Sequence, residues 1–398
     1  MKVVELDHFG RGIVKINNKV CFVSNALTEE DVLVKILKDN KNYSEGKITK
    51  YLKTSLDRKK VDCSYYKNCG GCQIKHMKDK MQEEFKINKV KNIFFKYANI
   101  EITNITFTSS YKDNYRNKAV FHIKDNVIGY YENKSHNLLD IKKCHLLDSK
   151  INKLLMIIRE YIKKDRTLEE VMIRVGNKTG EVLLQIKGKK TSYDYFLEYV
   201  DVLVVNNKII TKKQEITSYI GDIKYLVSYQ SFFQVNKSEV ETLLNRVVKL
   251  IQEFNGQKIL DLYCGTGTIS LFISKYVDSV LGIESNKQAI IDANRNREIN
   301  DLKNVSFMNK KVEDIVLKLG TTFDTVIIDP PRSGVMEEVI IYLKHSDIKN
   351  IIYISCNPIT QARDVKKLLD KYVLESVSLV DMFYNTYHIE AICYLRLR

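Results

Sequence analysis

The stretch ILDLYCGTGTISLF, residues 259–272, passes from an apolar run through a glycine turn into the start of an apolar helical pattern. Strand, turn and helix in that order put Gly265 and Gly267 at the carboxyl end of a strand, where a ligand can approach the backbone. The third glycine of a dinucleotide fingerprint is absent, since Ser270 stands in its place. Glu284 closes the next apolar run, VLGIE, 23 residues after Asp261, where an acid at the end of a second strand binds ribose hydroxyls. Glycine turn and ribose acid together suit either a nicotinamide dinucleotide or S-adenosylmethionine.

Working outward, KILDLY, SVLGIES, TVIIDPP and NIIYISCNP are each followed by a helical stretch, which from about residue 229 predicts a doubly wound parallel sheet. VLESVSLVDMF and HIEAICYLRL follow with no helix between them and predict an antiparallel hairpin at the sheet edge. Residues 3–50 read instead as short alternating strands, GIVKI, KVCFVS, VLVKILK and SEGKITKYL, the pattern of a small all-β barrel with Cys21 in its core. Between the two regions, 76–97 has apolar residues at helical spacing. NKAVFHI, NVIGYY and EVLLQIKG read as strands, and a second helix lies around 150–161.

A 44% hydrophobic and 28% charged composition excludes a disordered chain. The opening MKVVEL has no apolar signal core, and no apolar run approaches the roughly 18 residues of a membrane span, so a cytoplasmic location is expected. The net charge of +15 is unevenly spread: residues 1–250 carry 46 Lys and Arg against 30 Asp and Glu, residues 251–398 carry 18 against 19. A polyanion-binding portion joined to a neutral catalytic domain has this distribution; a lysine-rich genome alone would not spare the last part.

Eight cysteines in a cytoplasmic chain point to metal, catalysis or packing rather than disulfides. Three lie in CSYYKNCGGC, as Cys63, Cys69 and Cys72. Another, Cys356 in YISCNPITQARD, sits where a strand should end and a helix begin, near free N–H groups whose positive field favours a thiolate. The alternative is a small apolar side chain in the core. Asp329 precedes two of the three prolines in the chain, in IIDPPRSG, where the sheet opens onto its ligand crevice.

Taken in order, SFFQVN (231–236), DLYCGTGT, DPPRSG, SCNP and TYHIE resemble the RNA uracil-C5 methyltransferase family over essentially the whole chain. The resemblance implies a Rossmann-like class I methyltransferase domain, here 229–398, with S-adenosylmethionine contacted by Gln234, Tyr263, Glu284 and Asp329 around Gly265 and Gly267. It implies Cys356 as nucleophile and Glu390 as base, and leaves Cys264 and Cys393 as packed side chains. A thiolate added at C6 makes C5 of uracil nucleophilic, and a base must then remove the C5 proton so that the thiolate can leave. In an extended strand His388 and Glu390 share a face, and apolar neighbours would raise the carboxyl pKa.

Cys63, Cys69, Cys72 and Cys144 resemble the [4Fe–4S] site of part of that family, in a structural role; spacing alone leaves zinc open. Residues 1–53 resemble the TRAM domain, an OB-like RNA-binding β-barrel, and 54–228 form a central α+β domain whose helix near 76–97 is expected against the catalytic domain. The expected partner is RNA, 23S ribosomal RNA before tRNA, with no DNA and no membrane, bound by a monomer. A non-catalytic RNA-binding assembly factor and an NAD oxidoreductase are the other classes, opposed by Cys356 with Glu390 and by DPPRSG with the basic first half. Two positions depart from the family pattern: Tyr384, where a proline is usual, and Asn309 with Lys310, where a glycine is common.

Overall fold

A computed structural model describes residues 1–398 except positions 111, 134 and 321. The amino-terminal segment forms a five-stranded sheet in the order Glu5–Leu6, Gly12–Ile16, Lys19–Val23, Tyr43–Lys53, Asp31–Asp39. Alternation in GIVKI and KVCFV turns Val14, Cys21 and Val23 inward onto Val3, Ala26 and Val32. Only a small core results. The long hairpin 31–53 leaves Leu33, Ile36, Leu37 and Leu52 exposed among its lysines.

The central segment builds a seven-stranded sheet, ordered Lys208–Ile209, Val202–Val205, Val182–Gly188, Leu168–Val175, Lys118–Lys124, Val127–Tyr131, Leu138–Asp140. The helix Ser149–Lys164 covers it with Ile151, Leu154, Leu155, Ile158 and Ile162, spaced three and four apart. Asp148 caps that helix by accepting the Lys150 N–H at 2.9 Å.

The third sheet has eight strands, in the order Val305–Asn309, Ser279–Glu284, Lys258–Leu262, Thr325–Ile328, Asn350–Ser355, Glu390–Leu397, Tyr372–Val380, Ile105–Thr108. The first five strands pair in parallel, as the continuous apolar runs require. The terminal hairpin is antiparallel as expected but not at the edge. Glu390–Leu397 inserts beside Asn350–Ser355, and Ile105–Thr108, from the central segment, pairs in parallel with Tyr372–Val380 outside it. A four-residue strand paired with a segment some 270 residues away leaves no local signature.

The expected helix spans Asp79–Ala98 and packs on the eight-stranded sheet. Val90, Ile93, Phe94 and Ala98 join the cluster that holds Leu260, Ile328, Tyr353 and Ala362. Lys86, fully buried, donates to Asp381 at 2.6 Å, and Asp381 follows the strand Tyr372–Val380. A second element shared with the sheet is the hairpin Ile216–Ile220 with Ile223–Val227. Its Lys224 and Leu226 N–H groups donate to the side chains of Asn300 and Asn296.

Candidate active site

Asn350–Ser355 and Glu390–Leu397 pair so that Ser355 faces Ala391. Continuing the register by one residue sets Cys356, just past the end of one strand, beside Glu390, the first residue of the other. Gln361 locks the pair of strands by donating to the carbonyls of Tyr353 (2.8 Å) and Ala391 (2.9 Å).

The thiol differs from the sequence expectation. The helix Pro358–Leu368 is capped by Asn357, whose side chain accepts the Ile359 N–H, so Cys356 lies before the cap. Burial, and then the neighbouring Glu390 carboxyl, push the Cys356 pKa up; Arg332, within hydrogen-bonding reach, pulls it down without cancelling them. Glu390 is buried, and its pKa is raised well above the ordinary carboxylate value, first by burial and then by Asp329, against the opposing pull of Arg332.

His388 precedes the strand rather than lying in it, because the chain turns through 382–387 and extends only at Glu390. Burial and the charges of Arg332, Lys89 and Lys86 lower its pKa to about 4, so the ring is neutral at physiological pH.

The glycine turn closes the other side of the crevice. Tyr263, Gly265 and Gly267 have φ of 65°, 55° and 74°. A Cβ on Gly267 would approach the Phe307 ring to 2.6 Å, so the turn needs glycine there for close packing. A Cβ on Gly265 would meet nothing within 4 Å: its free face opens into the crevice. Glu284 stands at the end of the second strand and accepts the N–H groups of Gly265 (3.3 Å) and Asn286 (2.7 Å). Tyr263 donates to Glu313 at 2.8 Å. Asp329 directly follows Thr325–Ile328, and burial raises its pKa to about 7. Gln234 lies in the loop before the helix Glu239–Glu253, its carbonyl held by Asn117; the adjoining Phe232 carbonyl accepts from Thr266 of the glycine turn.

The structure thus gathers Tyr263, Gly265, Gly267, Glu284, Asp329 and Cys356 at the carboxyl ends of parallel strands, with Glu390 opening the antiparallel strand beside them and Gln234 in the loop that meets the glycine turn, at the edge where ligands of such sheets bind. Two neighbours were not singled out in the sequence. Arg332 lies within the quoted DPPRSG, and Glu313 follows a strand by a few residues with no motif to mark it.

Residues 200–398 match the family model described as tRNA (uracil-5-)-methyltransferase, and residues 2–49 match the TRAM domain. A protein of Clostridium tetani named as an uncharacterized RNA methyltransferase is 34% identical, over 96% of this chain and 93% of that one. A Staphylococcus aureus protein with the same description is 32% identical, over 100% and 97%. Among solved structures, the Pyrococcus abyssi tRNA (uracil-54, C5)-methyltransferase in complex with S-adenosyl-L-homocysteine superposes with a TM-score of 0.83 at 26% identity, covering 99% of each chain. The chain belongs to the RNA uracil-5-methyltransferase family. It is an S-adenosylmethionine-dependent RNA methyltransferase, and the open face of Gly265, with Glu284 at the strand end beside it, fits that cofactor.

In this methyltransferase the four cysteines of the expected cluster lie together. Cys72 and Cys144 both pack against Tyr115, Leu146 and Tyr384. Burial raises the pKa of Cys72 to about 12 and also lifts Cys69 and Cys144, and each of these thiols feels its neighbours' charge. Among the described residues, however, no three His, Cys, Asp or Glu side chains stand close enough to hold a metal ion. Cys21, Cys264 and Cys393 are buried side chains, as expected.

Both departures from the family pattern have a structural account. Tyr384 is buried and donates to Asp79 at 2.5 Å while accepting from Lys59 at 3.1 Å, so its hydroxyl ties the loop before Glu390 to the start of the helix Asp79–Ala98. Asn309 donates to the carbonyls of Glu284 and Ser285, both at 3.0 Å, and so braces the strand end that carries the ribose acid. No described helix is long and apolar enough to cross a membrane.

Proposed function

We propose that the methyltransferase makes 5-methyluridine with Cys356 as nucleophile and Glu390 as base. The observation that carries this reading is the strand register that sets the two side by side, at the edge of the sheet where the parallel strands end. S-adenosylmethionine supplies the methyl group. Arg332 favours the ionised sulfur against burial; the Cys356 thiol gives up its proton to solvent, and the thiolate adds to C6, moving the electron pair of the C5–C6 bond to C5. C5 takes the methyl group as the donor's sulfonium–methyl bond breaks and S-adenosylhomocysteine leaves. Glu390 then accepts the C5 proton, the C5–C6 double bond re-forms, and the C6–S bond breaks to return the thiolate. In its ionised form, a carboxylate whose pKa is raised by burial and by Asp329 is a stronger proton acceptor than an exposed one, which suits that step. Gln234, Tyr263, Glu284 and Asp329 hold the cofactor in this reading.

Cys63, Cys69, Cys72 and Cys144 would hold a [4Fe–4S] cluster. A single zinc ion needs all its sulfurs about 2.3 Å from one point, and a cluster of several irons accepts a wider set of thiols. The proposed division of labour is a TRAM barrel, 1–53, and a central domain, 54–228, that grip RNA, with catalysis in 229–398, all in one monomer. The surplus of positive charge before residue 250 supports it.

The proposed substrate is 23S ribosomal RNA, on the joint presence of barrel and cysteine set. A tRNA uridine is the second reading, favoured by the full-length likeness to the Pyrococcus abyssi tRNA enzyme. Mass-spectrometric mapping of 5-methyluridine in both RNAs, from cells with and without the gene, decides: loss at a 23S position supports the first, loss in tRNA alone the second, and no loss in either refutes both.

A further inference from the structure

The helix Pro358–Leu368 starts two residues after the proposed nucleophile and carries Gln361 and Asp364, one turn apart and both fully buried. Gln361 joins the strands of Cys356 and Glu390 through the Tyr353 and Ala391 carbonyls. Asp364 reaches a third segment. One of its carboxylate oxygens accepts the Tyr353 hydroxyl at 2.8 Å and the Val335 N–H at 3.0 Å. The other accepts from Arg363 at 2.8 Å, and the Arg363 guanidinium also donates to the Ser333 carbonyl at 2.9 Å.

Asn357 adds a bond to the Arg332 carbonyl at 2.9 Å, so the turn 332–335 is tied to the helix at Arg332, Ser333 and Val335. Gly334 fits the turn to the carboxylate. Its φ is 84°, and a Cβ there would come within 2.3 Å of Asp364 and 2.5 Å of Arg363. On the other side Pro330 and Pro331 restrict the backbone.

This turn carries Arg332. The residue is exposed and makes no ion pair among the described residues, yet it lies within hydrogen-bonding reach of the Cys356 sulfur. The backbone beneath it therefore sets where the guanidinium stands. We propose that Asp364 is a positioning residue of the reaction: by fixing the 332–335 turn on the helix that follows Cys356, it keeps the Arg332 guanidinium at the sulfur. Asp364 itself bonds to neither Cys356 nor Glu390. The proposal rests on the reading of Cys356 as nucleophile, and deepens it by naming what holds the neighbouring cation.

Asp364→Asn keeps the size of the side chain but loses an anchor in either orientation, because its NH2 group must face the donors of Arg363 or those of Val335 and Tyr353. The readout is the rate at which iodoacetamide alkylates Cys356 across pH, followed by peptide mass spectrometry on the full chain. Glu390, Arg332 and Asp329 are the charged groups that face the sulfur, and of these only Arg332 favours the thiolate. Its displacement should move the midpoint of alkylation up by about one pH unit, a roughly tenfold slower reaction below the midpoint. Single-turnover methylation should slow while S-adenosylmethionine affinity stays unchanged. Arg332→Met should give the same upward shift, and adding Asp364→Asn to it should shift the midpoint no further. Gly334→Ala presses on the same carboxylate from the turn, and should move the midpoint in the same direction even where Asp364→Asn fails to fold. An unmoved midpoint in the folded variants, or a shift by Asp364→Asn that persists beside Arg332→Met, overturns the proposal. Trapping of 5-fluorouridine RNA on wild-type Cys356 checks the underlying reading separately: without that adduct the reading fails, and with it an unmoved midpoint removes only the role of Asp364.

Discussion

Gln82 and Asn385 hold each other by two hydrogen bonds: the Gln82 amide donates to the Asn385 side chain at 3.1 Å, and the Asn385 N–H donates back at 3.2 Å. Both residues are buried. The Asn385 carbonyl in turn accepts the N–H groups of Gln73 and Ile74, just past Cys72. The loop that delivers Glu390 is thus hung between the cysteine segment and the first long helix, neither of which belongs to the catalytic sheet's own sequence.

Gln82→Leu should destabilise the protein by about 1–3 kcal/mol, because it strands buried polar atoms of Asn385 without partners. It should lower the methylation rate more than the affinity for S-adenosylmethionine. Thermal unfolding with single-turnover kinetics checks this; a variant with unchanged melting and rate would show that the loop is held elsewhere.

Lys86 and Asp381 are 0% and 2% exposed in their side chains, so removing one leaves the other charged and buried. Lys86→Met should cost about 3–5 kcal/mol, while Lys86→Met with Asp381→Leu should recover most of it. Denaturant unfolding of the singles and the double measures the difference. A double variant no more stable than Lys86→Met would mean that the pair contributes more than mutual neutralisation.

Burial raises Asp261 to about 7, with Ser270 pulling the other way and the Asp329 and Glu284 charges adding to the rise. The folded state thus keeps a proton that the unfolded chain releases near pH 4, so stability is full below about pH 4 and falls as pH rises toward 7. Asp261→Asn should flatten that decline in cofactor-free protein. Melting temperatures at pH 4.5 and 7.5 test the sign; an equally steep decline in the variant would place the proton elsewhere.

Protein purified without oxygen should carry about four irons per chain, and Cys72→Ala should lose them together with the visible absorbance. Stoichiometric zinc without iron would overturn the cluster assignment.

Much of this was legible because the signals are local. ILDLYCGTGT declares its turn by two glycines one residue apart, and the apolar runs after residue 229 locate four of the five parallel strands in that part of the chain, all but Val305–Asn309. The strand Ile105–Thr108 and the buried pair Lys86 with Asp381 were not, since each depends on a partner roughly 270 to 300 residues away. The groups that surround Cys356 were not legible for the same reason. A helix start is visible in the sequence, but the burial and the Glu390 carboxyl that outweigh it come from the fold. Pairing Cys356 with Glu390 needed the family resemblance, because a glutamate two residues after a histidine carries no chemistry by itself.

The most direct measurement is denaturing electrophoresis of Glu390→Gln after reaction with substrate RNA and S-adenosylmethionine. With Cys356 as nucleophile and Glu390 as base, the variant should add to C6 and transfer the methyl group but fail to eliminate. It should then accumulate as a covalent protein–RNA band that carries the methyl label and disappears in the double variant with Cys356→Ala. Turnover by Cys356→Ala, or a Glu390→Gln enzyme that releases methylated RNA at the wild-type rate without a band, would contradict the account.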